Sequence, residues 1–268
     1  MYSLPNSVKK FVKVNLKKGV DPKEIIGSLV QQGYTYPYLS SVLGIKVPEA
    51  SKLYKDSNYF QALASPSILS NPNEFDLSIL EDRRATVIRI DNFLSIEECK
   101  ATIQAANKFL NPSKVTDSSI DKSYRTSTTA GFLGTESDDV ASVDHKIVKM
   151  MGMNIPVFSE IIQIQKYEVG QEYKSHYDYF SLGTDVYKRE GQVKGQRSWT
   201  CMIYLNDVEQ GGETEFSALR LKIKPKFGTA IIWNNLDNQG MPNKRTIHKA
   251  NPVLDGNKYI ITKWFRDR

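Results

Sequence analysis

The chain has 268 residues with a formal net charge of +6, 40% hydrophobic residues and 25% charged residues. This length and composition are ordinary for a globular protein with one large domain or two unequal ones. No apolar run approaches the ~18 residues of a membrane-spanning helix, and the lysine-rich N-terminus lacks an apolar core and a small-residue cleavage site. We therefore expect no transmembrane helix, no secretory signal, no membrane partner and a cytoplasmic location.

The positive charge is concentrated near the start of the chain. Residues 1–60 contain nine lysines, no arginine and four acidic residues, so they supply +5 of the net charge. A solvated helical face is the simplest explanation, and a docking surface for nucleic acid or an acidic partner is the alternative. The two cysteines, Cys99 and Cys201, are too few for a disulfide framework and are expected to be reduced packing residues.

Residues 1–65 are predicted to be helical. The segment 21–33 shows this most clearly, because Asp21 suits an N-cap, Pro22 suits the first helical position and Gly33 suits a stop. A short helix is predicted in the stretch YPYLSSVLG, and a third near Pro48. Residues 66–84 fall in a stretch rich in Ser, Pro and Asn, and we predict a linker there.

The main domain, 85–268, is predicted to begin with a strand at 85–94 and a helix at 95–110, where Ser95 and Glu98 form a capping box. A further helix is predicted near 139–152. Short strands separated by Gly, Pro and Asn turns follow, at 161–167, 199–205, 219–225, 228–233, 245–250 and 258–265. This pattern is typical of a β-sandwich or barrel with helices packed against it.

The stretch YKSHYDYF, residues 173–180, places a histidine and an aspartate two positions apart. In a strand, residues i and i+2 project from the same face, so His176 and Asp178 are expected to point at one place. A third ligand, His248, lies on a predicted strand that an antiparallel sheet can bring alongside. Two histidines and one carboxylate form the open arrangement of non-haem Fe(II) oxygenases. His145 lies in a helical, acid-flanked context and is expected at the surface.

Lys258 follows a hairpin turn signal and shares a strand face with Trp264. One explanation is an ordinary strand-end lysine. The other is a cation that neutralises an organic acid inside a barrel, since a buried cation needs a partner and no spare acid is evident on that face. The polar side chains Gln163 and Gln165, on one face of a predicted strand, are explained equally well by a ligand cavity or by exposure to water.

Five segments of the chain resemble the prolyl 4-hydroxylase family, and they span about residues 85–268 in the family's order. The segments are DNFLSIEEC, YRTSTTAGFL, IQKYEVGQEYKSHYDYF, RSWTCMIYLNDVEQGGETEF and IHKANPVLDGNKYIITKW. The resemblance implies an α+β fold, with a double-stranded β-helix (jelly-roll) catalytic core and packed helices. A small helical N-terminal region precedes this core, and residues 1–80 have no counterpart in the family's catalytic domain that we can name.

The resemblance also implies an activity. Members are Fe(II)- and 2-oxoglutarate-dependent dioxygenases that hydroxylate prolyl residues of a peptide or protein with O2 and release succinate and CO2. We expect the same reaction here, of the procollagen-proline type, with Fe(II), 2-oxoglutarate and O2, and we add ascorbate binding as a further expectation.

Carried over position by position, the resemblance implies a role for twelve residues. The iron ligands would be His176, Asp178 and His248. The distal carboxylate of 2-oxoglutarate would meet Lys258, Thr214 and Tyr167, with Trp264 lining that pocket. The peptide-binding face would include Arg125, Ser127, Glu160, Tyr173 and Arg197, and Tyr173 would also lie near the iron. The segment between Phe180 and Arg197 would form a mobile lid, and Arg266 stands where some relatives have histidine.

Two alternatives stay open at this point. The same chemistry could act on a lysyl residue, a free amino acid or, less readily because of Lys258, on nucleic acid. The chain could instead be a non-catalytic basic binding module, although an intact ligand set and an intact Lys258 argue against decay of the site.

Overall fold

The computed structural model describes residues 4–44, 55–114, 121–133, 136–153 and 158–268. Its α-helices, numbered in chain order, are α1 (Asn6–Lys17), α2 (Pro22–Gln31), α3 (Tyr36–Leu43), α4 (Ser57–Leu63), α5 (Ser67–Ser70), α6 (Ile96–Ala106), α7 (Asp138–Met151) and α8 (Gln192–Lys194). A π-helix at Tyr187–Gly191 precedes α8. The third N-terminal helix, predicted near Pro48, falls outside the described residues.

The strands are β1 (Asp76–Glu81), β2 (Val87–Asp91), β3 (Asn111–Pro112), β4 (Thr128–Phe132), β5 (Ile162–Tyr167), β6 (Tyr173–His176), β7 (Arg197–Tyr204), β8 (Gln210–Gly211), β9 (Thr214–Phe216), β10 (Leu221–Ile223), β11 (Ala230–Asn234), β12 (His248–Ala250), β13 (Val253–Asp255) and β14 (Lys258–Arg266). All six strands predicted after residue 160 are present. Two of them are shorter than expected, because 3-10 turns at Ser217–Leu219 and Lys244–Thr246 take up their first residues.

The predicted helix signals are confirmed by side-chain caps. In α2 the Asp21 carboxylate accepts a hydrogen bond from the Lys23 backbone N–H at 2.8 Å. In α6 Ser95 and Glu98 form the reciprocal capping box, at 3.2 and 2.7 Å. These bonds satisfy backbone donors that a helix start leaves free. Within the described residues, no helix has the length and apolar character needed to cross a membrane.

The described strands form two main antiparallel sheets. The large sheet has the order β1-β2-β11-β7-β14-β5-β4-β3, and the small sheet has the order β10-β9-β12-β6. Strands β8 and β13 pair separately. One buried cluster contains side chains of both main sheets, among them Met202, Trp233 and Ile260 from the large sheet and Phe216 and Ala250 from the small one. The two sheets therefore face each other across a shared interior.

Helices α6 and α7 cover the opposite face of the large sheet. Val143 and Ile147 of α7 belong to one buried cluster with Ile164, Ile203 and Ile261 of the sheet. Because side chains alternate along a strand, the other set on β14, beginning with Lys258, faces the small sheet. The prediction that Lys258 and Trp264 share a face is confirmed.

The segment 66–84, predicted to be a linker, contains ordered secondary structure. It holds α5 and then β1, which pairs with β2 and extends the edge of the large sheet, with Leu77 opposite Ile90 and Ile79 opposite Ile88. The Ser, Pro and Asn content of the stretch before residue 75 obscured this strand. The division of the chain into domains stays a prediction.

The N-terminal helices pack closely on the rest of the chain. Leu29 of α2 and Leu39 of α3 share a buried cluster with Met241, against which Leu182 also packs. The buried Trp199 indole of β7 donates a hydrogen bond to the Leu63 carbonyl at the end of α4, at 2.8 Å. The helical region thus contacts both the large sheet and the segment expected to form the lid.

Candidate functional site

Three candidate metal ligands meet where β6 and β12 pair. His176 ends β6 and lies directly opposite His248, the first residue of β12. Asp178 lies two residues after the end of β6, so the expectation that one strand carries both His176 and Asp178 is wrong in detail. The ligand atoms still converge. The Nε2 atoms of His176 and His248 lie 3.8 and 3.9 Å from the Asp178 carboxylate oxygens, and one ligand atom from each residue lies within 4.8 Å of the others.

Both imidazoles are held by backbone carbonyls. The Nδ1 atom of His176 lies 2.8 Å from the Lys174 oxygen, and that of His248 lies 2.9 Å from the Thr246 oxygen. A carbonyl can only accept, so each Nδ1 carries the proton and each Nε2 offers its lone pair to the centre. Burial, followed by the neighbouring His248, lowers the pKa of His176 to about 3. His176 is therefore neutral, the form that binds a metal, near pH 7.

Asp178 is buried and ionised. Burial alone would raise the pKa of this carboxyl, but the neighbouring His248, His176 and Arg197 outweigh burial and lower it. One carboxylate oxygen, Oδ2, accepts a hydrogen bond of 2.7 Å from the Thr200 hydroxyl. A charged carboxylate beside two imidazoles completes a donor set of two nitrogens and one oxygen.

A cavity of about 380 Å³ opens from these ligands between the two sheets. Its lining contains most of the predicted site residues, namely Tyr167, Tyr173, His176, Asp178, Arg197, Thr214, His248, Lys258 and Trp264, together with Arg125. Gln163 and Gln165 also line it, so the cavity explanation for their polarity is confirmed. The cavity is large enough for a small organic co-substrate.

Lys258 lines the cavity and is fully buried. Its Nζ has no hydrogen-bond partner among the described residues and lies 5.1 and 5.6 Å from the ring centres of Tyr167 and Tyr204. Burial lowers the pKa of Lys258 to about 7, and Glu213 offsets only part of this effect. Lys258 is therefore not an ordinary strand-end lysine, because the ammonium group of such a lysine would be exposed to water.

Two hydroxyl groups stand near this ammonium group. Thr214 on β9 is buried. Its Oγ1 accepts a hydrogen bond from Tyr204 at 2.7 Å and donates a weak one to the Met202 sulfur at 3.6 Å. The Tyr167 hydroxyl donates to Gln165 at 2.9 Å. Burial raises the pKa of Tyr167, so it remains a neutral donor. Trp264 closes one wall with its indole N–H unpartnered among the described residues.

The residues expected at the peptide-binding face divide into two groups. Arg125, Tyr173 and Arg197 line the cavity, and the Tyr173 ring stacks on His176 with centres 3.5 Å apart. Ser127 is buried, bonds to another serine and is absent from the lining. Glu160 is also absent from the lining.

Glu160 is occupied by two arginines. It forms a bidentate ion pair with Arg197, at 2.6 and 2.8 Å, and a further bond of 2.8 Å with Arg266. The Arg197 guanidinium carbon lies over the Trp264 ring, 3.7 Å from its centre. Glu160 and Arg266 thus hold Arg197 in place beside the cavity, an arrangement the sequence did not indicate.

The expected lid, 181–196, contains the π-helix and α8. Ser181, Thr184 and Val186 line the cavity, while Leu182 and Tyr187 contact α2 near Gly33. Whether the lid is mobile stays a prediction. Tyr177, which the strand parity assigned to packing, stacks on Tyr179 and lines the cavity.

Several residues of the site were missed from the sequence. Met202 and Trp233 line the cavity, and Thr200, Tyr204 and Asn235 bond to its members. For Thr200, Met202 and Tyr204 a signal existed, because they share one parity on β7 while Cys201 faces the helices. No signal for Asn235 exists in the sequence, since it depends on a bend after β11. Both cysteines are buried and free, and His145 is exposed, as predicted.

The residues present fit an iron and a dicarboxylate. Two imidazoles and one carboxylate, with an open cavity on one side, are the donor set of non-haem Fe(II) enzymes. A buried, unpartnered ammonium in the same cavity fits the far carboxylate of a ligand whose other end would reach a metal held by these three residues. His176, Asp178 and His248 would hold the Fe(II) and Lys258 the far end of 2-oxoglutarate.

Comparisons with known proteins agree with this geometry. A sequence model of the 2OG-Fe(II) oxygenase superfamily matches residues 162–266. The chain is 29% identical to prolyl 4-hydroxylase subunit alpha-1 of Gallus gallus over 242 residues, which cover 87% of this chain and 45% of that protein. It is 35% identical to probable prolyl 4-hydroxylase 10 of Arabidopsis thaliana, covering 65% of this chain and 66% of that protein.

The fold comparison gives the same family. The chain is 33% identical to the 2OG complex of the viral collagen prolyl hydroxylase of Paramecium bursaria Chlorella virus-1, with a TM-score of 0.54. The match covers 67% of this chain and 95% of the viral one. The chain spans less than half the length of the chicken subunit and about two thirds of the plant protein. This chain belongs to the prolyl 4-hydroxylase family of 2-oxoglutarate- and Fe(II)-dependent oxygenases.

Proposed function

We propose that this chain hydroxylates prolyl residues of a peptide or protein in a reaction that consumes 2-oxoglutarate and O2. One oxygen atom enters the substrate C–H bond to give C–OH, and the other enters the succinate formed when 2-oxoglutarate loses CO2. Bound Fe(II) supplies the oxygen-activating chemistry. The chain's own residues bind the reactants, orient them and exclude water.

The observation that carries this proposal is the position of Lys258. Its ammonium group is fully buried, has no described hydrogen-bond partner and shares one cavity with the His176–Asp178–His248 cluster. Burying a cation without a partner is unfavourable, so a ligand with a carboxylate at that end stabilises the site. 2-Oxoglutarate has a second carboxylate and a keto group for the metal at its other end.

We assign the remaining co-substrate contacts to residues around Lys258. The Thr214 hydroxyl, which accepts from Tyr204, would donate to the distal carboxylate in place of its weak bond to the Met202 sulfur. Tyr167 lies beside the same ammonium group, and its hydroxyl would donate to the carboxylate in place of its bond to Gln165. The Trp264 indole forms the wall between this subsite and the cavity mouth.

The peptide would approach past Arg125, Tyr173 and Arg197, which line the cavity at the metal side. Glu160 acts through Arg197, which it holds by the bidentate pair. Ser127 supports the β4 side of this face through its bond to Ser113 at 2.8 Å. The substrate is a proline-containing chain, and nothing in the site supports a nucleic acid partner.

We also infer that the two facing sheets form the double-stranded β-helix core, preceded by a helical region at 1–65. The shared buried cluster between the sheets and the viral relative support this. Ascorbate binding and a cytoplasmic location stay predictions.

The test is 2-oxoglutarate turnover with a panel of proline-containing peptides, read by mass spectrometry. We expect succinate formation that requires added Fe(II), and a gain of one oxygen atom on proline that is absent when the proline is replaced by alanine. His176→Ala should abolish turnover, and His145→Ala, at an exposed histidine outside the site, should keep it. Oxygen gained only on lysine would reject the prolyl assignment, and succinate made at the parent rate by His176→Ala would reject the metal site.

A further inference from the structure

Asp178 is held by a buried chain of hydrogen bonds from residues that do not line the cavity. The Thr200 hydroxyl of β7 donates to Asp178 Oδ2 at 2.7 Å, and the Asn235 side-chain amide donates to Thr200 Oγ1 at 2.8 Å. Thr200 and Asn235 are completely buried, and Asp178 is 6% exposed. Burying three polar side chains is unfavourable in free energy unless they form hydrogen bonds with one another.

The direction of this chain is fixed by its members. A carboxylate can only accept, so the single Thr200 proton points at Asp178, and the Asn235 nitrogen must face the Thr200 oxygen. Asn235 is anchored by its backbone, which donates to Ser198 at 2.7 Å and accepts from Asn243 at 2.8 Å. Thr200 itself is β-branched and lies on a central strand, paired with Trp233 on one side and Trp264 on the other, so its side chain has little rotational freedom.

The two Asp178 oxygens therefore differ. Oδ2 takes the Thr200 proton and lies 3.9 Å from His248 Nε2, while Oδ1 receives no hydrogen bond from the described residues and lies 3.8 Å from His176 Nε2. A carboxylate that bound a metal through both oxygens would occupy a position that the co-substrate and O2 need. A hydroxyl group bonded to one oxygen opposes that chelation and fixes the carboxylate plane.

We propose that Thr200 is a positioning residue that holds Asp178 as a one-oxygen ligand and so keeps the metal site open. This rests on the proposed function only through the metal site. Removing the hydroxyl leaves the three ligands in place but frees the carboxylate to rotate, and hydrogen-bond partners of ligands are typically worth ~10–100-fold in metal affinity.

The test is Co(II) titration of the full chain, with visible absorption used to follow both affinity and coordination. Thr200 is replaced by Ser, Ala and Val. If the hydroxyl acts as proposed, Thr200→Ser stays within a few-fold of the parent, whereas Thr200→Ala and Thr200→Val both bind about 10–100-fold more weakly. We also expect both of these variants to show an altered Co(II) spectrum.

A purely structural role gives a different order. The volume of Val is close to that of Thr, so affinity would then follow size, with Thr200→Val near the parent and Thr200→Ser and Thr200→Ala both reduced. That order, or parent-like affinity and spectrum in all three, would overturn the proposal. If Thr200→Val does not fold, Ser against Ala still isolates the hydroxyl.

Thr102→Val is the matched control, since Thr102 is completely buried in α6 and its hydroxyl has no described partner. This variant should bind Co(II) like the parent. Failure of the parent itself to bind Co(II) would reject the metal site, a result distinct from failure of the Thr200 series. Circular dichroism confirms that each variant is folded.

Discussion

Lys258 is buried at a free-energy cost that the unliganded protein does not recover. Its pKa falls from 10.5 to about 7 because the ammonium group loses its water, and this shift corresponds to roughly 4 kcal/mol at pH 7. Nearby aromatic rings return only part of that cost. The side chain is therefore present for a ligand and not for the stability of the fold.

Lys258→Met is expected to raise the stability of the unliganded protein while abolishing 2-oxoglutarate turnover. Methionine has a similar length and no charge, so it removes the cost of burial together with the carboxylate partner. Thermal unfolding without ligand should show a higher midpoint, and succinate release should be lost. A lower midpoint together with unchanged turnover would contradict the assignment of Lys258.

The affinity for 2-oxoglutarate should fall as pH rises above about 7. The folded, unliganded protein releases the Lys258 proton near pH 7, whereas the unfolded chain keeps it to about 10.5, so unliganded stability rises across this window. The bound carboxylate requires the charged lysine, and binding must then take up a proton, which weakens affinity by up to about tenfold per pH unit.

Calorimetry of 2-oxoglutarate binding to the Co(II)-loaded protein, in two buffers of different ionisation enthalpy, measures this uptake between pH 7 and 9. The metal ligand His176, whose pKa is lowered to about 3, does not titrate in that window. Affinity that is independent of pH, with no proton uptake, would show that Lys258 is not the carboxylate partner.

The sequence revealed those site residues that break the apolar pattern of a β core. His176, Asp178 and Lys258 are polar residues where a β core should be apolar, and that conflict made them visible. Thr200 and Asn235 gave no such sign, because threonine is ordinary in a strand and asparagine is ordinary in a turn. Their roles depend on which side chain lies beneath them.

Helix α2 packs closely against the expected lid. Gly33 follows α2 with φ of +99°, and a Cβ added there would lie 2.6 Å from Leu182 Cδ2 and from the Tyr187 ring. The Gln192 side chain also donates to the Gln31 carbonyl at the end of the same helix. Glycine is needed at residue 33 both for its backbone conformation and for this close approach.

Gly33→Ala is expected to destabilise the protein by about 1–3 kcal/mol and to loosen the lid. Trypsin should then cleave faster at Lys188, Arg189 and Lys194, which are exposed on the lid. Gly27→Ala is the matched control, because Gly27 lies inside α2 with no atom within 4 Å of its added Cβ, and it should stabilise by about 0.5–1 kcal/mol. Equal cleavage in both variants would show that α2 does not hold the lid.

Helices and inner strands were predictable because their signals are local. Caps, periodicity and turn residues lie within a few positions of the element that they define. The strand β1 was missed because only its pairing with β2 reveals it. The end of β6 at His176 was missed because the paired residues of the ladder with β12 stop at His176, and Asp178 reaches the site from a bend.

Contacts join the N-terminal region to the large sheet. Trp199 depends on Leu63 for its hydrogen bond, and β2 is covered at the sheet edge by β1. Removing the first 84 residues would leave a buried donor without a partner, which costs about 1–3 kcal/mol, and would open a sheet edge.

Stability is accordingly expected to decrease from the full chain to a 66–268 fragment, which keeps β1, and further to an 85–268 fragment. Thermal unfolding and light scattering of the three proteins measure stability and aggregation. An 85–268 fragment as stable and monodisperse as the full chain would show that the N-terminal region is an independent module, as its charge alone had allowed.

The architecture as a whole was predicted as a β-rich core with packed helices, but the order of its strands was not. Strand order depends on pairings between residues far apart in the chain, such as Lys258 with Tyr167 and Trp264 with Thr200. Neither hydropathy nor turn signals report these pairings.

The strand order of the large sheet also has a consequence for folding during synthesis. Strand β14, the last in the chain, lies between β7 and β5, and without it the groups β1-β2-β11-β7 and β5-β4-β3 have no shared border in that sheet. A ribosome releases these nine residues after every other strand. Until β14 is synthesised, these two groups of strands cannot be joined in one sheet. The same strand carries Lys258 and Trp264. The joined sheet and the cavity therefore both require the same C-terminal strand.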